Sequence, residues 1–544
     1  MTLPQQTSGL DDELCTWPAE RQLFTRANAL DQWPLPITPL TQDLVELAQE
    51  RGLESAFVSV LGVTERSPAW TWNGCFYGYV MFGVTPAAAL ADNLPGWNRA
   101  GVYADYLGVR PDPEAPTEPP QSFSPVTLIG IGARFLGALR SYPRSAAAEI
   151  RSAQAQLDAD RSRDWNSVSD GYLLDRLSSF HDIHVKQREP HAVASVISAA
   201  LFNQFTQSLI AIAGDDEGAR LAREMITPLG GVHMREAIDA MAEVRAGRLT
   251  REEFVRTYGF RGNNEFELAA KPWGDDPDTL DRLLTAAVRR PDAATDARLR
   301  ARRRAKELAG WRWPLLSRLL KLSESHLRWR ENGKVPMAMG VAAIRLVVLE
   351  AARRLSERGR IGDLDDVFYL RKTELSHELN GSRIDDLAER IQRRRESRTR
   401  AMDLLLPEIV DAGPDGILEV SGERWKSLGL IPRPAFDDAT SILTGISGSH
   451  GVVTGRARIV TDPFEVEIDP GDIVVARGTD SAWTPLFLEA DAVVVDIGGV
   501  MSHACIAARE VGIPCVIDVK IGTSRIAEGQ QILVDGNAGT VTLL

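Results

Sequence analysis

The chain changes period near its end. From about residue 126 to 400, apolar residues recur at helical spacing, as in "DGYLLDRLSSFHDIHVKQ" and "GVAAIRLVVLEAARRLSERG". Beyond about 441 they arrive as short β-like runs, "VVTGRARIV", "DIVVARG", "AVVVDIG", "CVIDV", "ILVDG" and "TVTLL", with one helix at roughly 503–511 among them. One core cannot serve both patterns. The fold class is therefore multidomain: a large mainly α-helical domain, then a compact α/β domain of about a hundred residues, a size that holds its own core.

The length of 544 residues agrees, since it implies about three domains. Residues 1–30 read as an irregular lead-in, 31–404 as the helical domain, 405–440 as a Pro-, Gly- and Asp-rich linker or hinge, and 441–544 as the α/β domain. In "WPLPITPLTQ" Thr38 is placed to cap a helix that begins at Pro39. "AWTWNGCFYGYVMF" (69–82) reads as a strand or hairpin, and 111–125 as a Pro-rich surface loop. Gly259 and Gly359 stop two of the helices. Apolar content of 44% and charged content of 25% are those of a globular protein, and a net charge of −13 argues against a nucleic-acid partner. Arginines crowd 289–330 and 393–400, and solvated helix faces account for them. No contiguous run reaches the roughly 20 apolar residues of a membrane helix, and the N-terminus lacks a signal-peptide pattern. Cys15, Cys75, Cys505 and Cys515 form no framework, so a cytoplasmic location is expected.

Within "GGVMSHACIAAREVGIPCVI" (498–517), a strand, a glycine turn and a helix follow one another. Ser502 is a candidate N-cap, which puts His503 in the first helical turn. Free N–H groups and the helix dipole favour an anion there and disfavour a protonated imidazole. Gly498 and Gly499 let backbone approach a ligand. A neutral histidine nucleophile that carries a phosphoryl group fits this setting. So does a buried, hydrogen-bonded structural histidine. The turn brings no second ligand, so no metal is expected; the "HDIH" pair, His181 and His184, with His191 beyond, lacks a carboxylate or Cys partner at a recognisable spacing.

This stretch resembles the phosphohistidine motif of the PEP-utilising swivelling domain found in phosphoenolpyruvate synthase, pyruvate phosphate dikinase and rifampin phosphotransferase. Gly498, Gly499, Ser502, His503, Arg509, Glu510, Gly512 and Pro514 match it, and upstream "GTDSAWTPLFLEADAVV" keeps Asp480 and Trp483 of a second family segment. The resemblance implies that 441–544 is a swivelling phosphohistidine domain. "WPLPITPLTQ", "YGFRGNNEFELAAKPWGDDP", "LRWRENGKVPM" and "IGDLDDVFYLRKTEL" resemble, in the same order, the helical acceptor domain of rifampin phosphotransferase and phosphoenolpyruvate synthase. Arg330, Glu331 and Lys334 would then line the transfer site; Arg330 and Lys334, four apart, share a helix face and suit a phosphoryl group. Arg261, Glu265 and Glu267 lie in "FRGNNEFELA". A Glu there either accepts the acceptor's proton or orients Arg330, or pairs structurally with Arg261. Trp70, Trp72, Phe76 and Tyr77 are either an apolar acceptor wall or, as is commoner for such residues, core.

The family's ATP-grasp domain is not recognisable in the chain, and no Gly-rich phosphate loop with a following Lys appears at its start. A separate ATP-grasp subunit that binds ATP and Mg²⁺ is therefore the expected partner. That organisation resembles phenylphosphate synthase and the systems that phosphorylate 4-alkylphenols such as 4-cresol. The expectation is a phosphotransferase subunit in which His503 is charged from ATP by the partner and passes the phosphoryl group to a small-molecule hydroxyl acceptor, a phenol or alkylphenol. The same mechanism on an antibiotic or aliphatic alcohol is one alternative. A non-catalytic phosphocarrier is another, and Arg330 and Lys334 speak against it.

Overall fold

The computed structural model describes residues 10–544 apart from 11, 28, 31, 62–68, 92–97, 108, 116–123, 227–228, 230, 287–292, 405, 432–439, 462, 464–465, 467, 480–482 and 500–501. Asp480 and most of the Pro-rich loop thus lie outside the described residues.

The lead-in is not irregular throughout. Strand β1 (Gln22–Thr25) is the centre of a five-stranded sheet. A pi-helical turn at Gln42–Glu46 then runs into α1 (Leu47–Leu61). β2 (Asn73–Phe76) and β3 (Tyr79–Gly83) form the expected hairpin. Its two-residue turn has Tyr77 at φ 53° and Gly78 at φ 86°, the left-handed pair that matches the twist of the flanking strands. Gly78 is required, because a Cβ there would sit 3.0 Å from Pro36.

The long helices follow. They are α2 (Pro125–Arg161), α3 (Asp170–Ala213), α4 (Asp215–Met225), α5 (Pro277–Ala286), α6 (Ala293–Ala309), α7 (Trp313–Asn332) and α8 (Val335–Glu357). Ser169 caps α3, accepting from the Tyr172 N–H at 3.2 Å. Gly359, at φ 66°, follows the end of α8, as its position in the sequence implies. One core joins α3 and α8 through Leu173, Leu177, Val347 and Ala351, all 0% exposed. Two stretches, Asp170–Ala213 and Arg298–Glu357, are long and apolar enough by composition to cross a membrane, which a search for unbroken apolar runs misses. The apolar window of the second is 78% buried inside the protein. On the first, Asn203, Gln204 and Gln207 stand on the exposed face.

The expected linker holds a pair of strands followed by a short helix, Gly422–Ser427. β4 (Ile409–Gly413) and β5 (Gly416–Leu418) complete the first sheet in the order β2-β3-β1-β4-β5. Phe24 stands opposite Val410, and Gln22 opposite Ala412. The glycines and Pro414 of "DAGPDG" make a hairpin turn between strands, not a tether. Gln22–Thr25 and Ile409–Leu418 therefore meet in one small sheet that borders the helical domain.

The C-terminal domain is built on β6 (Ile442–Thr444), β7 (Ile446–Ser449), β8 (Val452–Val460), β9 (Asp472–Ala476), α9 (Thr484–Glu489), β10 (Ala492–Val495), α10 (His503–Val511), β11 (Cys515–Ile517), β12 (Gln531–Asp535) and β13 (Thr540–Leu543). Its sheet runs β6-β13-β12-β8-β9-β10-β11-β7, with β8 to β11 parallel. The runs "DIVVA", "AVVV" and "CVI" are buried along their whole length, as parallel strands covered on both faces require. α9 and α10 cover one face through Phe487, Ala504 and Ala508.

Candidate functional site

α10 begins at His503, with Ser502 in extended geometry at the cap position. The Ser502 hydroxyl does not cap its helix; it is buried and has no hydrogen-bond partner among the described residues. Gly498 lets this hydroxyl approach, since a Cβ there would lie 3.0 Å from Oγ, whereas the space beside Gly499 is open. The His503 Nε2 lies 3.0 Å from the Thr484 hydroxyl at the start of α9, and Phe487 flanks the ring at 6.4 Å. Arg509 sits further along α10, where its Nε donates to the Gly448 carbonyl at 2.5 Å and ties the helix to β7.

The C-terminal domain is seated against the rest of the chain so that His503 faces the helices. α9 packs beside α5 and α10 beside α6. Gly478 closes on Leu30, where no Cβ would fit. Arg477 donates to the Leu406 carbonyl at 3.1 Å, and Lys520 pairs with Glu408. Burial in this interface, then the charges of Lys334 and Arg261, push the His503 imidazole down to about 3, with Glu331 opposing. It is therefore neutral, as a nucleophile must be. The principal cause is burial under the helical domain, not the helix terminus that the sequence points to.

Glu331 and Lys334 converge with Arg261 on this histidine, and Arg330 adjoins Glu331. α7 ends at Asn332, yet Gly333 and Lys334 keep near-helical angles into α8, so the four-residue spacing survives. Glu331 lies 3.8 Å from the Arg330 Nε and 3.7 Å from the Lys334 Nζ. Burial alone would raise its carboxyl; Lys334, Arg330 and His503 hold it below the usual range. The Arg330 carbonyl is fixed by the Nδ1–H of His191 at 2.9 Å. Arg261 donates to both oxygens of Glu265, at 2.7 and 3.0 Å, and the pair is only 5% exposed on each side chain. Its other nitrogen faces the His233 Nδ1 at 3.3 Å. Burial and Arg261 push that imidazole down to about 3. Glu265 is thus ion-paired, and with Glu267, Asn263, Lys271 and Arg345 it also lines a small cleft.

Three of the candidate residues are held by structural contacts. Glu267 lines the same cleft, and its carboxylate is a buried staple: it accepts from the Thr38 N–H and hydroxyl at 2.9 and 2.7 Å, the Thr41 hydroxyl at 2.8 Å and the Ala269 N–H at 2.9 Å. Thr38 stands at the expected cap position, but its hydroxyl serves this carboxylate. Trp72 packs in a core with Leu53 and Val193, and Tyr77 in another with Phe24 and Phe76, so they do not wall one pocket. Thr484 and His233 were not singled out by the sequence. Thr484 follows Trp483 directly in a segment already matched, which was the available signal; nothing in the sequence marks His233. Among the described residues no group of three or more His, Cys, Asp or Glu is gathered that could hold a metal ion, so no Mg²⁺ site is assigned to these side chains.

Comparison with known proteins places both halves of this site. A family model described as "PEP-utilising enzyme, mobile domain" matches residues 468–539, which include His503. One described as "Rifampicin phosphotransferase fourth domain" matches residues 209–331, which include Arg261 and Arg330. A rifampicin phosphotransferase of Streptomyces sviceus is 28% identical over 375 residues, 65% of this chain and 42% of that protein. The prodigiosin synthesizing transferase PigC of Serratia marcescens is 32% identical over 302 residues, 53% of this chain and 33% of that one. A rifampicin phosphotransferase of Bacillus subtilis is 27% identical over 339 residues, 59% of this chain and 37% of that protein. The chain thus matches about two fifths or less of the length of these relatives. It carries a PEP-utiliser mobile domain, and its helical part is similar to rifampicin phosphotransferases.

Proposed function

We propose that this chain is the histidine-bearing part of a phosphotransferase, in which His503 carries a phosphoryl group from ATP to an acceptor hydroxyl. The observation that carries the reading is a half-buried imidazole at a helix start, faced by Arg261, Glu331 and Lys334 from the helical domain and held toward its neutral form. In this reading ATP and Mg²⁺ are bound by a separate ATP-grasp subunit, and the C-terminal domain swivels to expose His503 to it. The lone pair of the imidazole takes the phosphoryl group, and an N–P bond forms as the bond to the ATP-derived leaving group breaks. After redocking, the acceptor oxygen attacks phosphorus, the N–P bond breaks, and the hydroxyl proton passes to a carboxylate. Glu265, on the wall of the cleft, is the candidate proton acceptor. Arg330 and Lys334 neutralise the moving charge, which is most of what phosphoryl transfer asks of a protein.

The proposed acceptor is a phenol or alkylphenol, giving an aryl phosphate. A second reading, a larger antibiotic acceptor, is favoured by the relatives named rifampicin phosphotransferase. The test is incubation with an ATP-grasp partner, ATP, Mg²⁺ and 4-cresol, with mass spectrometry of both the protein and the product. Phosphate on His503 followed by cresyl phosphate is expected. Full turnover by His503→Ala would overturn the carrier role. A charged His503 that ignores phenols but discharges to rifampicin would select the second reading.

A further inference from the structure

The helical domain is cut across by a polar layer. Along α3, the apolar residues Leu173, Leu177 and Phe180 belong to one core, and Ala192, Val193 and Ile197 to another. Between them the buried positions are His184, Gln187 and His191. The neighbouring segment does the same. Leu44 and Val45 join the first core, Leu53 and Ala56 the second, and Glu46 and Gln49 stand between. α7 and α8 repeat it, with Leu319 and Leu322 packed against the second core, Val335 in the first, and Arg330, Glu331 and Lys334 between. Three elements thus break their apolar pattern at one level, and His191 links that level to the Arg330 carbonyl beside Glu331, which faces His503.

The layer is built to admit these side chains. A Cβ at Gly52 would lie 2.5 Å from the Arg188 Cβ, one at Gly340 2.8 Å from the Gln187 Oε1, and one at Gly333 3.1 Å from the His191 Cβ. A glycine on a facing helix therefore makes room for each of three successive polar residues of α3. Few of the polar atoms so admitted find partners. Gln187 reaches His184 and Asn73 reaches Glu46. Both amide atoms of Gln49, and Nε and Nη1 of the half-buried Arg188, are buried without a hydrogen-bond partner among the described residues. Buried polar atoms are nearly always paired. Four such atoms, beside an acid and an imidazole with one contact each, point to a guest that supplies the partners.

We propose that this layer is a ligand pocket, and that its ligand is a hydroxylated organic acid whose carboxylate pairs with Arg188 while its hydroxyl points along α3 toward His503. The charge inventory selects an anion. Burial lowers Arg188 to about 10, so it stays cationic. Burial, with Glu50 and Asp43 behind it, pushes Glu46 well above the usual carboxylate range, and burial holds His184 down to about 3, so both are neutral. Arg188 is then the cation at the α3 end of the layer, with Arg330, Glu331 and Lys334 at the His503 end, while the two amides, the acid and the imidazole offer neutral donors and acceptors for the body of the ligand. Only the role of the hydroxyl rests on the phosphotransfer reading; the anion site does not.

Calorimetric titration of the full chain with 4-hydroxybenzoate, benzoate and 4-cresol tests this. Both carboxylates are expected to bind at least tenfold more tightly than 4-cresol, and Arg188→Met to abolish that preference while 4-cresol binding stays within twofold. The melting temperature of ligand-free Arg188→Met is expected to rise, because buried guanidinium nitrogens without a partner are removed; this outcome also shows that the variant folds. Equal binding of 4-cresol and 4-hydroxybenzoate, binding of neither, or a preference that survives Arg188→Met would overturn the proposal. Repeating the titration with His503→Ala separates the two readings. Carboxylate binding that persists there supports the pocket even if His503 carries no phosphate, and a phosphorylated His503 with no carboxylate binding defeats the pocket alone.

Discussion

Two clusters of arginine and glutamate in this chain are built to opposite ends. Around Arg394 the charges are closed on themselves. Its guanidinium, 1% exposed, donates to Glu374 at 2.6 Å, to Glu13 at 2.5 Å and to the Tyr369 carbonyl at 2.8 Å. Glu374 also accepts from Arg390 and from the Arg371 N–H, both at 2.9 Å. Around His503 the Arg261–Glu265 pair is tight, but Glu331 stands 3.7 and 3.8 Å from two cations that it cannot neutralise alone. A saturated network holds structure together. An unsaturated one leaves field and donors for a group that is not always there. Arginine content cannot tell these apart, since the runs at 289–330 and 393–400 look alike as sequence; only the partners differ.

The sharpest way to break this contrast is at the carrier. His503→Ala should lower phosphotransfer by at least about a thousandfold with the fold intact, read as loss of phosphohistidine and of product. The next is a matched pair of substitutions. Lys334→Met should cost about a hundredfold in transfer rate with little change in melting temperature. Arg394→Met should destabilise by about 3–5 kcal/mol in denaturant melts, because it strands Glu374, while activity per folded molecule holds. If the two variants gave the same kind of loss, the division between the clusters would fall. Smaller again is Glu267→Gln. It should cost about 1–3 kcal/mol of stability through the Thr38 and Thr41 hydroxyls and leave the acceptor KM unchanged; a KM change would restore Glu267 to the site.

Acid should separate the regions most gently. His503 and His233, held at about 3 against an ordinary 6.5, bind no proton when docked but would bind one when exposed. The stability they contribute is complete above pH 6.5 and is lost as pH falls toward 3. His184, held at about 3 in the polar layer, follows the same window. Burial raises Glu374, but the hydrogen bonds from Arg394 and Arg371 outweigh it and hold it at about 2 against an ordinary 4.5. Its contribution is complete above pH 4.5 and is lost only below that. Hydrogen exchange, corrected for intrinsic rate, should show segments 184–191 and 503–511 losing protection between pH 6.5 and 4.5 while 369–394 stays protected. Simultaneous loss in both would contradict the assignment.

Much of the fold can be read along the chain. The switch from helical to β period, the hairpin at 73–83 and the helix at 503–511 each follow from local pattern. The small sheet cannot be read so, because β1 and β4 are separated by nearly the whole helical domain, and a short strand shows its role only beside its partner. The site divides in the same way. Gly498, Ser502 and His503 are neighbours in sequence, and their motif is visible there. Glu265 and Glu267, two residues apart, carry the same chemistry in the sequence and line one cleft, yet the first pairs with Arg261 and the second is held by two threonines from a distant segment.

By itself, then, the sequence determined the division into helical and α/β parts and marked His503, because periodicity and a contiguous motif are local properties. Tertiary structure alone decided that burial, Lys334 and Arg261 push the His503 imidazole down, that Glu267 is stapled by Thr38 and Thr41, and that Arg188 has no ion-pair partner among the described residues. Each depends on how far a group is removed from water and which charge faces it across the fold, and neither quantity is a function of distance along the chain.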